Sequence, residues 1–408
     1  MSLNATPSSN RVHIGIFGKR NAGKSSVINA ITGQSLAIVS DVKGTTTDPV
    51  SKAMELLPLG PVVMIDTPGL DDTGELGALR VKKSYQVLNK TDIGVLVVDG
   101  DVGYGKEEQA LLARFREKNI PHVVAVNKCE RMTEQEQEAV RAALPEGTDL
   151  IFVSAAEKIR IHELKECIAR QVPAEDMNRK IAGDLVEPND LAVLVVPIDK
   201  AAPKGRLILP QQQTIRDLLE AGAASVVVRE MEFAQTLRAL GKKPKLVITD
   251  SQVFGKVSKE TPQDILLTSF SILFARYKGN LKTLVQGVRM LDRLEDGDTV
   301  LISEGCTHHR QCNDIGTVKF PKWIGDFTGK KLNYAFTSGV EFPDDPDRYR
   351  MIIHCGGCTL NEREMKYRIR CASDLGVPIT NYGIAIAYMH GILKRSLGPF
   401  PDIAKELE

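Results

Sequence analysis

The sequence predicts an α/β protein of three successive domains, each built on a largely parallel sheet. Three observations carry that prediction. An apolar run, Val12 to Phe17, leads directly into Gly18-Lys19-Arg20-Asn21-Ala22-Gly23-Lys24-Ser25 and then a helical pattern. Short apolar runs alternate with helix-period stretches along the rest of the chain, the order that packs helices onto parallel sheets. Two half-motifs, Cys306-x-His308 and His354-Cys355-x-x-Cys358, each follow such a run.

Length and composition set the frame. At 408 residues the chain exceeds one ordinary core. A formal net charge of +1 argues against a broad nucleic-acid footprint. No apolar run approaches the roughly 18 residues of a membrane span. The first ten residues are polar, without the pattern of a signal peptide, so a cytoplasmic location is expected. In a reducing compartment the seven cysteines (Cys129, Cys167, Cys306, Cys312, Cys355, Cys358 and Cys371) read as free thiols and candidate metal ligands rather than a disulfide framework.

The first domain is placed at residues 11–172. Its GxxxxGKS stretch, between a strand and a helix, is a phosphate-binding loop. Its glycines let backbone amides wrap phosphate oxygens, so Gly18, Asn21, Ala22, Gly23, Lys24, Ser25 and Ser26 are candidate nucleotide contacts. Lys24 reaches the outer phosphates and Ser25 ligates Mg²⁺ in this reading. Four further stretches follow in the order a GTPase requires. Thr46, in Gly44-Thr45-Thr46-Thr47-Asp48, suits the first switch, where a hydroxyl meets Mg²⁺ and the γ-phosphate. Asp66-Thr67-Pro68-Gly69 ends the strand Val62 to Ile65, with Asp66 acting on the Mg²⁺ shell and the Gly69 amide on the γ-phosphate. Asn127-Lys128-Cys129-Glu130 and Ser154-Ala155-Ala156 end two more strands, where a base is read. Over about 160 residues the chain thus resembles translation-factor-related GTPases of the TrmE/Era type. Two details refine the likeness. Leu70 stands where many small GTPases carry a water-orienting Gln. Asn21 stands where potassium-activated members carry Asn, so the resemblance implies K⁺ near the phosphates; the alternative is a loop residue bonded to its own backbone. The chain departs from the NKxD motif in having Glu130 for Asp, so a guanine would be met by a longer carboxylate.

The second domain is placed at residues 180–262. Strands are expected at Leu191 to Pro197, Ser225 to Val228 and Lys245 to Thr249, with helices at Gln211 to Ala221 and Glu230 to Leu240. A sheet of about three strands is small, and pairing with a second copy would bury it better, so a homodimer is expected.

The third domain is placed at residues 263–408. Helices are expected at Gln263 to Phe274, Leu281 to Leu294 and Asn361 to Leu375, the last preceded by a capping-box spacing at Thr359 to Glu362. Strands at Thr299 to Ser303 and Tyr349 to Ile353 end in the two half-motifs, and in a parallel sheet such ends share one edge. Cys306, Cys355 and Cys358, with His308 and His354, therefore form a candidate ligand set; Cys312 is a rival. The ligands suit either a structural zinc or an iron–sulfur cluster, and either His could instead be a donor behind the ligands. The whole order resembles the HydF family of FeFe-hydrogenase maturation GTPases. That resemblance implies a P-loop GTPase followed by two parallel-sheet α/β domains, and a 4Fe–4S cluster on Cys306, Cys355 and Cys358 with an exchangeable fourth position. It also implies a scaffold that assembles or delivers a diiron precursor, with radical-SAM maturases and apo FeFe-hydrogenase as partners; charge and the short apolar runs lead us to expect neither nucleic acid nor membrane as a partner. The alternative is a ribosome- or RNA-assembly GTPase with a structural zinc.

Overall fold

Val12–Phe17 forms β1 because five of its six residues are buried, as in a strand covered on both faces. The computed structural model describes residues 7–33, 49–69, 84–172, 179–198, 207–305, 315–339, 341–343 and 345–407. It divides into two units, Met1–Asn178 and Arg179–Glu408.

In the first unit β1 is followed by α1 (Lys24–Thr32), β2 (Val50–Leu56), β3 (Gly60–Asp66), β4 (Ile93–Asp99), α2 (Lys106–Glu117), β5 (His122–Asn127), α3 (Glu134–Ala143), β6 (Asp149–Phe152) and α4 (Ile161–Arg170). The strands form one sheet in the order β2-β3-β1-β4-β5-β6. Only β2 runs antiparallel to its neighbour. β2 and the wholly buried β4 add two strands to those the sequence marked. One core lies under Ile14, Ile16, Val95 and Val97 with Val27 and Ile31 of α1. The other lies under Phe17, Leu96 and Val98 with Phe115 of α2. This period-two split between faces is what a doubly covered sheet requires.

The second unit holds two four-stranded sheets. The first comprises β7 (Leu191–Val195), β8 (Ala224–Val228), β9 (Leu246–Thr249) and β10 (Leu266–Ser269), in the order β10-β9-β7-β8. Helices α5 (Leu209–Glu220), α6 (Phe233–Ala239) and α7 (Phe254–Glu260) connect these strands. Two expectations are corrected here. The sheet has four strands rather than three, and the helix expected over Gln263 to Phe274 is instead β10 followed by α8 (Phe270–Lys278). Ser269 decides the break: its hydroxyl accepts from the Ile272 amide and caps α8, leaving Leu266–Ser269 extended. The division drawn at 262 and 263 therefore falls before the last strand of this sheet.

The second sheet of this unit follows α9 (Leu281–Val288) and comprises β11 (Thr299–Glu304), β12 (Asn333–Ser338), β13 (Met351–His354) and β14 (Ile379–Asn381). Helices α10 (Phe320–Thr328), α11 (Glu362–Asp374) and α12 (Tyr382–Met389) pack with it. All its described pairings are parallel, in the order β12-β11-β13-β14. The chain goes from β11 outward to β12 and then back across to β13. The switch point, where open α/β sheets bind ligands, therefore lies between β11 and β13. One apolar core runs beneath both sheets of the unit, from Val193 and Ile248 to Leu301 and Ile352.

Gly287 marks how tightly α9 lies on β14: a Cβ there would sit 2.1 Å from the Ile379 carbonyl oxygen. Gly287→Ala should destabilise the second unit by about 2–3 kcal/mol, because backbone must give way. Urea unfolding would show it, with Gly255→Ala of α7, which meets no atom within 4 Å, leaving the midpoint unchanged or slightly raised.

Candidate functional site

The nucleotide site is assembled by loops at the carboxyl ends of β1, β3, β5 and β6. Lys24, nearly buried, donates to the carbonyls of Gly18 at 3.0 Å and Lys19 at 2.7 Å, so its ammonium is held across the phosphate-binding loop. Ser25 donates to Asp66 at 2.7 Å. Burial raises the Asp66 carboxyl above its usual range, against the opposing Ser25 hydroxyl and Lys24 charge. A carboxylate so placed is suited to a cation's shell. Thr67 donates to the Ile16 carbonyl at 2.7 Å and fixes the turn leading to Gly69.

Asn127 joins three of these loops. Its amide nitrogen donates to the Ala22 carbonyl at 3.1 Å, and its oxygen accepts from the Ala155 amide at 3.0 Å. Gly23 has to be glycine for the same reason: φ is +87° and a Cβ would lie 2.2 Å from the Asn127 nitrogen. Lys128, in the left-handed region, pairs with Asp99 at 2.6 Å and with Asp101 at 3.3 Å. Glu130 lies in a 3-10 turn, its carboxylate 3.7 Å from the Arg131 guanidinium. Buried Ser154 accepts from the Glu157 amide at 3.1 Å. Ala22 is buried and Ser26 exposed. Asn21 is exposed with φ +63°, a conformation that Asn adopts more readily than most residues. Thr46 and Leu70 lie outside the described residues.

The second site lies at the switch point of the β11–β13 sheet. The register pairs Ser303 with His354, and Glu304 with Ser338, so the strand ends are level. The Cys355 amide donates to the Ser303 carbonyl at 2.9 Å. The Cys355 thiol in turn accepts from the amides of Gly305 at 3.1 Å and Gly357 at 3.4 Å. Thr359 donates to the Gly305 carbonyl at 3.0 Å, so the expected capping box gives way to Asn361, whose side chain accepts from Glu364. Gly357 turns the loop at φ +60°, where a Cβ would strike the Met365 sulfur at 2.4 Å. The segment entering Cys306 is thereby bound to the loop carrying Cys355 and Cys358.

His354 belongs to this site in a different way from the expected ligand. It is buried; Nδ1 donates to the Cys355 carbonyl at 2.7 Å and Nε2 accepts from Arg368 at 3.1 Å. Both ring nitrogens are occupied, so neither is open to a metal. Burial foremost, then the Arg368 charge, lowers its pKa to about 3, so the ring is neutral. Arg368, fully buried, also pairs with Glu364 at 2.9 Å and donates to the Gly339 carbonyl at 2.7 Å. Cys306, His308 and Cys312 lie outside the described residues. Among the described residues no three His, Cys, Asp or Glu side chains gather as a metal-holding group. What is described suits a soft metal: two thiols on one turn, outside any disulfide, amide donors aimed at one of them, and a buried cation that favours thiolate charge.

That cation, Lys278, was not among the sequence candidates. It is 3% exposed at the end of α8, with Nζ donating to the carbonyls of Leu360 at 2.9 Å, Cys358 at 3.2 Å and, at the long distance of 3.5 Å, Gly357. Burial lowers it to about 8, opposed by the Cys358 and Cys355 thiols. Burial pushes the Cys358 thiol up, opposed by Lys278. A signal existed for both missed cations. Lys278 is four residues after Phe274, and Arg368 three after Met365, so each falls on the apolar stripe of its helix.

Comparison with known proteins places the chain in a family. A model of the hydrogen maturase F dimerization domain matches residues 181–279, and one of the hydrogen maturase F tetramerization domain matches residues 282–399. Together they take in more than half of the chain.

The chain belongs to the hydrogen maturase F family. Its first unit, at residues 13–128, matches the 50S ribosome-binding GTPase model. Relatives include the tRNA modification GTPase MnmE of Heliobacterium modesticaldum, 33% identical over 262 residues (63% of this chain, 50% of that protein). The MnmE of Desulforamulus reducens is 31% identical over 158 residues (38% and 34%). The GTPase Der of Wolinella succinogenes is 30% identical over 185 residues (42% and 39%). The chain thus spans between a third and a half of the length of these relatives. Among solved structures, Aquifex aeolicus Era bound to GDP and aluminium fluoride has a TM-score of 0.36 at 19% identity, covering 56% of this chain and 98% of that one. No described helix of this family member is long and apolar enough to cross a membrane.

Asn127→Ala removes both the tie to Ala22 and the tie to Ala155. It should weaken binding of a fluorescent GDP analogue about tenfold or more, while thermal unfolding of the second unit stays unchanged.

Proposed function

We propose that this hydrogen maturase F family member binds and hydrolyses GTP and carries a 4Fe–4S cluster on Cys306, Cys355 and Cys358, with which it assembles or delivers the diiron precursor during FeFe-hydrogenase maturation. The observation that carries the reading is the pair of amide donors, Gly305 and Gly357, on the Cys355 thiol at the switch point. One donor immediately precedes Cys306, and the other lies inside the Cys355–Cys358 turn. When bound, the cluster would supply an iron to which a precursor attaches. The chain's own part is to hold the thiols and to fix the turn through His354 and Arg368. With both nitrogens of His354 engaged, the fourth position falls to another group, with His308 as the candidate from the motif.

In the nucleotide site Lys24 offsets phosphate charge, and Ser25, Thr46 and Asp66 would hold Mg²⁺ or its waters. That ion would neutralise charge on the β- and γ-phosphates. With Leu70 in place of a water-orienting Gln, K⁺ beside Asn21 is the proposed source of further positive charge, and the Gly69 amide meets the γ-phosphate. The nucleotide acts as a switch: GTP and GDP set different arrangements of the segments around Thr46 and Gly69, and these alter docking of the radical-SAM maturases and the apo-hydrogenase.

Self-association belongs to the proposal. β8 is an edge strand with Val227 43% exposed, and Leu219 and Met231 are 58% and 70% exposed. An apolar open edge is a site for pairing, here with a second copy. The family-model descriptions, dimerization and tetramerization, point the same way.

Cys355→Ser, purified without oxygen, should lose the iron and sulfide and the EPR signal of the wild type, while GTP hydrolysis stays within about twofold. An unchanged iron spectrum would refute the ligand assignment, and colourless wild-type protein with one zinc per chain would favour an RNA- or ribosome-assembly GTPase. Addition of imidazole to wild-type protein should shift the signal if an iron position is exchangeable. Val227→Asp should move the protein to a smaller species in sedimentation, since a charge on a pairing edge opposes association.

A further inference from the structure

We propose that Lys278 is a positioning residue for the cluster: its ammonium holds the Cys355–Cys358 turn in shape through the turn's carbonyls and raises the electron affinity of the group bound there. This rests on the cluster reading above.

Three observations carry it. First, Lys278 is buried and its donors go to main-chain carbonyls of one short segment, those of Gly357, Cys358 and Leu360. A lysine has three donors, and three acceptors on one turn fix that turn's path. Second, among the described residues no carboxylate pairs with it. A buried cation without a counter-ion is costly, and an anionic group on the adjacent thiols supplies the balance. Third, Lys278 belongs to α8, within the segment matched by the dimerization model, whereas the turn belongs to the segment matched by the tetramerization model. The residue therefore ties the cluster loop to the neighbouring sheet. Nearby positive charge and hydrogen bonding around the sulfurs both raise the reduction potential of such a group.

The test uses the full chain, reconstituted anaerobically with iron and sulfide, and reads iron content and the midpoint potential by EPR-monitored titration. Lys278→Met should move the potential to more negative values, and Lys278→Arg, which keeps the charge, should stay near wild type. A Lys278→Met protein with full iron and the wild-type potential overturns the inference and leaves the cluster reading intact. If Lys278→Met takes up no iron, Lys278→Arg decides: loading near the wild-type potential supports the inference, and loading at a clearly more negative potential overturns it. If neither variant loads, amide exchange of the iron-free proteins is read across residues 357–360. Protection lost in Lys278→Met supports the positioning role, and protection unchanged overturns it. Wild-type protein that takes up no iron fails the cluster reading first, and the inference falls with it.

Discussion

The parallel pairing of β11 with β13 is the constraint on which the second unit's chemistry depends. Four register pairs, ending at Ser303 and His354, bring two chain segments about 50 residues apart to the same edge. Because the chain visits β12 between them, the strand order reverses between the two, the place where open α/β sheets commonly bind ligands. The Cys355 amide closes onto Ser303 and its thiol receives the Gly305 amide, so the register is continued past the sheet into the loops.

That edge is held by charges that the apolar core would ordinarily reject. Arg368 is fully buried, yet its guanidinium reaches Glu364, His354 and the Gly339 carbonyl, so it spans the ends of β12 and β13. Lys278 does the same for the turn beyond β13. A buried ion pair whose hydrogen bonds are also met, such as Arg368 with Glu364, comes near to balance, whereas removing one partner leaves the other stranded. Such groups define one geometry more strongly than apolar packing does, which suits the proposed site, where two thiols would meet one cluster. In the first unit Asn127 has an equivalent part, bonding the phosphate loop to the base loop through one side chain.

The strands that carry the candidate nucleotide residues were largely legible from the sequence, because each motif lies within a few residues of its own strand. Ser25 meets Asp66, and Lys24 reaches the carbonyls of its own loop. What sequence did not convey was β2 and β4, and the role of Asn127 in reaching Ala22. In the second unit the alternation of strands and helices was legible, but Leu266–Ser269 was assigned to a helix. A stretch as short as these four residues fits either period, and the pairing with β9 chose the strand. Thr359 likewise had the spacing of a cap, but its hydroxyl goes to Gly305, a partner that is distant in sequence.

The sequence by itself determined the phosphate-binding loop, the two thiols of the Cys355–Cys358 motif, and the parallel alternation that sets the strand end before Gly305 at the same edge as theirs. Spacing suffices there, since backbone geometry over a few residues sets what glycine, lysine and cysteine can reach. Tertiary structure alone decided the part played by His354, and it brought Lys278 and Arg368 into the site. Whether an imidazole is free to bind depends on what fills its two nitrogens, and here the partners are its own neighbour's carbonyl and an arginine on the helix that follows the strand. Whether a lysine is a solvated charge or a buried clamp depends on the surfaces that close over it, and those come from separate stretches of the chain.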